Sequence, residues 1–104
     1  MITDAVISRL LRDQSSMCWK CGRDLYQTGF HKHHCCYTRD IRFSRWLDVG
    51  ENTLLVCPRC DQNHGILSNI ETRKKAWKFK IEHGWDMVKW HNEIPYKVKD
   101  NFDA

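Results

Sequence analysis

The sequence predicts a small α+β domain stapled by zinc, and three observations carry that prediction. Two C-x2-C pairs, Cys18/Cys21 and Cys57/Cys60, supply the four thiolates that a structural zinc site prefers. A short apolar run, TLLVC, reads as a buried strand leading into the second pair. Helical periodicity flanks this centre, once near the start of the chain and again over its last third.

With 104 residues the chain is expected to form one domain, 1–104, and a chain of that size buries only about two thirds of its unfolded surface. The hydrophobic fraction of 41% includes six cysteines, so a bound metal would help hold a thin core together. Three disulfides are the alternative in an exported protein. The opening MITDAVISRLLRDQ, however, is interrupted by Asp4, Arg9 and Arg12 and does not read as a signal segment. A reducing cytoplasm is the expected setting, and there paired cysteines more often ligate metal than bridge. Nothing approaches the roughly 20 apolar residues of a membrane span, so no membrane partner is expected. The net charge of +4, from 17 Lys and Arg against 13 Asp and Glu, favours an anionic partner only weakly.

Taken in order, Thr3 or Asp4 caps a helix over about 4–13, with Val6, Ile7, Leu10 and Leu11 on one face. The first cysteine knuckle follows, with Gly22 suited to its turn. Phe30 to Thr38, rich in aromatic residues and histidine, is expected to be extended. The polar turn DVGEN leads into the strand TLLVC and the second knuckle, CPRC, after which comes DQNHG. Ser68 and Glu71 fit a capping box for a helix carrying Ile70, Ala76, Trp77 and Ile81 inward, with Gly84 at its C-terminal end. A second helix, WDMVKWHNEI, stops before Pro95 and completes a helical tail over about 69–94. YKVKDNFDA is expected to be loosely attached.

Thirty-five residues separate Cys21 from Cys57, more than the roughly 15 to 20 of a common zinc ribbon. Zinc would therefore pin together the ends of a sizeable loop. That loop brings Phe30–Cys36, Asn52 and the segment after Cys60 into one neighbourhood. Within HKHHCC, strand alternation puts His31, His33 and Cys35 on one side and Lys32, His34 and Cys36 on the other. His33 and His34 serve one site only if the strand ends or twists there. Cys35 and Cys36 are expected to pack as small apolar side chains, since a closed four-thiolate site needs no fifth ligand. His31 has no assigned role, and His83 and His91 read as surface or helix-end residues. If 58–64 forms a helical turn, Asp61 and His64 share a face and suit one cation.

These residues resemble the HNH, or ββα-metal, nucleases, particularly small phage-type members with a four-cysteine zinc site. The resemblance rests on C-x2-C, then HH, then Asn52-TLLV-Cys57-PR-Cys60, then His64, and covers about residues 18–65. It implies a ββα-metal (His-Me finger) core with flanking helices and a metal-dependent DNA endonuclease. His34 would be the general base that takes a proton from water, and an imidazole is a suitable base at cellular pH. His33 would be a ligand of the catalytic cation, Mg2+ or Mn2+, beside the structural Zn2+. Asn52 would orient the base or brace the loop. The products would be a 5′-phosphate and a 3′-hydroxyl. Asp61 departs from the His that many relatives carry after the last cysteine. An acid is a good hard-cation ligand, which leaves open whether Asp61 or His64 is the principal one.

Two basic clusters bracket the implied site. Arg39, Arg42 and Arg45 lie in the loop, and Lys74 and Lys78, with Arg73, Lys75 and Lys80, run along the tail helix. They are expected to contact DNA phosphates; no residue stands out as a base reader, so sequence preference is expected to be weak. The resemblance also leaves room for a phage packaging or recombination protein as partner, in the cytoplasm of a bacterial host. The rival readings are a zinc module that binds nucleic acid or protein without activity, and an accessory phage protein.

Overall fold

Helix α1, Asp4–Asp13, begins where Thr3 turns from extended backbone into the first turn, its Oγ1 accepting from the Val6 N–H at 3.3 Å. Asp4 in the first turn and Arg12 in the last complement the helix dipole, and Leu10 points fully into the core. The computed structural model describes residues 2–62 and 69–95. His64, Ser68 and the tail YKVKDNFDA, each singled out above, lie outside the described residues.

After α1, Ser15 and Ser16 both take left-handed backbone (φ 52° and 58°), which reverses the chain into the first knuckle. Met17 bridges Asp24 across that knuckle. Asp24 then caps the single turn α2, Leu25–Thr28. Strand β1, His31–His34, pairs antiparallel with β2, Thr53–Val56, in the register His31↔Val56, Lys32↔Leu55, His33↔Leu54, His34↔Thr53.

Pairing stops after four residues, short of the extended run expected over Phe30–Thr38. One more backbone bond follows, from Cys35 N–H to Asn52 O at 2.9 Å, and beyond it the Asn52 side chain takes the N–H groups of Cys36 and Tyr37 in place of further rungs. Between the strands the chain makes a 3-10 turn at Ile41–Phe43, the short helix α3 at Ser44–Leu47, and a second 3-10 turn at Gly50–Asn52.

Helix α4, Pro58–Asp61, carries the second knuckle, with Pro58 at its first position where the missing N–H costs nothing. Helix α5, Ile70–Glu82, is capped by Asn69, whose Oδ1 accepts from the Thr72 N–H at 2.9 Å. The cap thus falls one residue later than the expected Ser68–Glu71 box, because Asn caps as well as Ser. At the far end Trp85 N–H bonds to Lys80 O at 3.0 Å and Gly84 N–H to Ile81 O at 3.1 Å, with Gly84 at φ 80°. This is a Schellman termination, and it needs glycine at that position. Asp86 caps helix α6, Met87–Glu93, which ends before Pro95.

One side-chain assignment is corrected. Ala76 is buried and Trp77 packs against the core, but Ile81 is 51% exposed while Lys80 is fully buried. The buried stripe is Thr72, Ala76 and Lys80, at i, i+4 and i+8, and Ile81 lies a full residue off it. Lys80 is therefore removed from the surface cations. The core gathers Leu10, Leu25, Leu47, Met87 and Trp90 around β2, whose four residues are all buried; Cys35 and Cys36 pack into it as expected for small apolar side chains, and Tyr37 joins them. Among the described residues, no helix is long and apolar enough to cross a membrane.

Candidate metal centre and histidine pocket

The first knuckle is a tight turn in which Gly22 N–H bonds to Cys18 O and Cys18 N–H to Arg23 O, with Gly22 at φ 79°. The second is the first turn of α4, begun at Cys57. Together they bring the sulfurs of Cys18, Cys21, Cys57 and Cys60 within 4.8 Å of one another, with Cys21 Sγ and Cys57 Sγ 3.6 Å apart. Tetrahedral Zn–S bonds of about 2.3 Å would separate sulfurs by about 3.8 Å. The cluster can hold a metal ion such as zinc, and a single four-way group fits that better than two disulfides.

The thiols differ in how readily they ionise. Burial opposes ionisation of Cys18, yet backbone N–H groups of Cys21, Cys57 and Lys20 outweigh it and bring the thiol down to about 7. Cys60 goes the other way, pushed up to about 12 by burial and the neighbouring sulfurs. Four crowded thiolates need a cation to coexist.

The strand alternation of β1 sorts its histidines. His33 faces inward and is 2% exposed. His31, two residues earlier, meets Asp61 of α4, Nδ1 to Oδ2 at 2.8 Å, which gives this unassigned residue a partner and ties β1 to the second knuckle. His34 lies on the other face, half-buried, with Nε2 2.6 Å from Asp48 Oδ1. It lines an open pocket of ≈ 410 Å³ together with Ile2, Lys32, Arg39, Asp48 and Thr53. Asp48 and Lys32 were not among the residues expected in the site. Asp48 sits in the DVGEN turn, and nothing in its spacing distinguishes it from an ordinary turn acid.

Asn52 is fully buried and uses its whole amide. Oδ1 accepts from the N–H groups of Cys36 (2.9 Å) and Tyr37 (2.8 Å), while Nδ2 donates to the carbonyls of Tyr37 (3.0 Å) and Leu47 (3.1 Å). Donors on one side and acceptors on the other settle which amide atom is oxygen. Asn52 therefore braces the exit of β1 against the end of α3, one residue before Asp48.

Of the expected phosphate contacts, Arg39 alone lines the His34 pocket. Arg42 is clasped by Asp40 through Nε (3.1 Å) and Nη2 (2.8 Å), and Arg45 lies over the Trp46 ring at 5.6 Å. Lys74 and Lys78 are on the exposed side of α5, Lys78 3.9 Å from Glu82. Among the described residues, the four thiolates form the one group of three or more metal-ligating side chains close enough to share an ion.

No family model matches this chain, and neither the curated proteins nor the solved structures contain a match to it.

Proposed function

We propose that the chain is a zinc-stapled ββα-metal domain acting as a metal-dependent DNA endonuclease. The observation that carries this reading is His34: a half-buried imidazole held by a carboxylate at the mouth of an open pocket that also contains Lys32 and Arg39. A base needs one ring nitrogen anchored and the other accessible, and an anionic substrate needs cations beside it. In the proposed reaction His34 takes a proton from water, the water oxygen bonds to phosphorus, and the P–O3′ bond breaks. The 3′ oxygen leaves with the bond electrons and collects a proton from solvent.

Lys32 and Arg39 would bind the phosphate oxygens and hold the diester over His34. Asn52, by fixing the exit of β1, would keep the strand end from shifting under load. The structural zinc would set the spacing of the two knuckles on which β1 and β2 hang. A catalytic Mg2+ or Mn2+ would be held by His33, Asp61 and His64, with His33 on the face of β1 opposite the His34 pocket; the positive charge beside a diester over His34 would come from Lys32 and Arg39. Two imidazoles and one carboxylate as donors suit Mn2+ better than Mg2+.

A second reading, a zinc module that binds nucleic acid without cutting it, is favoured by one observation. His33 and His34 stay on opposite faces of β1, as regular alternation requires. The two readings separate in a plasmid-nicking assay with Mg2+ or Mn2+ on the zinc-loaded protein and on His34→Ala. Nicking lost in the variant at unchanged zinc content supports the enzyme. Absence of nicking by the wild type on supercoiled, linear and single-stranded DNA under both metals supports the binding module.

A further inference from the structure

We infer that Asp48 is a positioning residue that holds the His34 ring in its Nε2–H tautomer, so that Nδ1 is the nitrogen that takes the proton from water. The inference rests on reading His34 as the base. A carboxylate can only accept hydrogen bonds, and Asp48 Oδ1 lies 2.6 Å from Nε2, so in the neutral ring the single imidazole proton belongs on Nε2. The lone pair is then on Nδ1.

Asp48 is well placed to impose this. It closes α3, with its N–H bonded to Ser44 O at 2.8 Å. Its two sequence neighbours are both tied down. The carbonyl of Leu47, itself fully buried, accepts from Asn52 Nδ2 at 3.1 Å, and the carbonyl of Val49 accepts from Thr53 Oγ1 at 2.8 Å. Thr53 is also the cross-strand partner of His34. The base and the two neighbours of its anchor are thus fixed to the same two-residue stretch, Asn52–Thr53. The side chains of His34 and Asp48 are 22% and 37% exposed, sheltered enough to keep one geometry and open enough for water and substrate to arrive.

The test uses the full zinc-loaded chain carrying 15N-labelled histidine, with the His34 tautomer read by long-range 1H–15N correlation where the ring is neutral. The wild type is expected to carry its proton on Nε2. In Asp48→Asn an amide N–H can donate to Nε2 and drive the proton to Nδ1, blocking the base nitrogen, so nicking should fall about a hundredfold or more. Asp48→Ala, which lets both tautomers coexist, should fall less. Zinc content and the backbone spectrum identify any variant that has merely unfolded, and Asp48→Asn, being isosteric, is the one least prone to that.

A proton on Nδ1 in the wild type overturns the inference, as does Asp48→Asn retaining the wild-type tautomer or the wild-type rate. If His34→Ala nicks as well as the wild type, the base role falls and the inference falls with it. If no form of the protein cuts DNA, the endonuclease reading fails separately. The tautomer measurement then still decides whether Asp48 sets the ring.

Discussion

The side-chain amide of Gln14 pairs with the backbone of Leu55 as a neighbouring strand would. Its Nε2 donates to Leu55 O at 2.8 Å, its Oε1 accepts from Leu55 N–H at 2.8 Å, and Nε2 also reaches Met17 O at 2.9 Å. One residue just after α1 thereby satisfies the outer edge of β2 and fastens it to the first knuckle, where Trp19 N–H also bonds to Leu55 O. Replacing the amide leaves the buried Leu55 N–H without an acceptor. Gln14→Leu is therefore expected to lose about 2–3 kcal/mol, from the hydrogen bonds and the stranded donor. Urea unfolding at constant zinc content measures this, and a loss below about 0.5 kcal/mol would contradict the pairing.

The six cysteines should divide sharply by function. Cys57 is buried, its Sγ is 3.6 Å from Cys21 Sγ, and its N–H donates to Cys18 Sγ at 3.3 Å. Cys57→Ser, or removal of zinc by a chelator, is expected to abolish cooperative unfolding, because in so small a domain the free energy of metal binding is part of the free energy of folding. Cys36 is equally buried but lies against Cys35 rather than the tetrad. Cys36→Ala should keep a full complement of zinc and lose about 1–2 kcal/mol from the shrunken side chain. Metal analysis with thermal melts on both variants checks the division; zinc loss in Cys36→Ala would count against it.

Gly50 is dictated by packing. A Cβ there would lie 2.6 Å from Trp85 Cη2, 2.7 Å from Cζ3 and 3.0 Å from Val6 Cγ1. Trp85 has little freedom to yield. Arg9 sits over its ring at 3.6 Å, Lys80 at 4.2 Å, and its Nε1 donates to Asp13 Oδ2 at 2.8 Å. Gly50→Ala is expected to destabilise the domain by about 2–3 kcal/mol, as overpacking does. It should also shift the tryptophan emission and weaken any activity that depends on Asp48 and Asn52 on either side. Unchanged stability and emission would mean that the contact is looser than it stands here.

What could be read from the sequence was whatever has a local rule. Cysteine spacing located the tetrad, the Thr3 cap and apolar periodicity located α1, and Gly84 marked the end of α5. Features that depend on who meets whom across the fold had no such signal. Asp48 is an unremarkable turn acid until β2 places Thr53 opposite His34. Asn52 was noticed for its distance from the cysteines, but only the assembled loop shows its four hydrogen bonds. Lys80 was misread because lysine at the end of a basic helix normally faces water, and its burial depends on a carbonyl, Gly50 O, thirty residues away. His31 found Asp61 only once the knuckle had folded back on β1.

Lys80 makes a prediction of its own. Its Nζ donates to Gly50 O at 2.7 Å in a fully buried setting, surrounded by Trp85, the thiols of Cys35 and Cys36, and the carboxylates of Asp13 and Glu51. Burial brings the ammonium down from 10.5 to about 8, and the thiols and carboxylates only partly oppose it. Below pH 8 the group is charged in both folded and unfolded chains, and the folded state bears a desolvation cost of about 3 kcal/mol. Between about pH 8 and 10.5 the unfolded chain binds more protons than the folded one, so the contribution of Lys80 to stability rises with pH. The stability of wild type relative to Lys80→Met should therefore improve by about 2 kcal/mol on going from about pH 7 to about pH 9.5. Denaturant midpoints of the zinc-loaded pair supply the measurement, and parallel pH profiles would show that Lys80 keeps an ordinary ammonium.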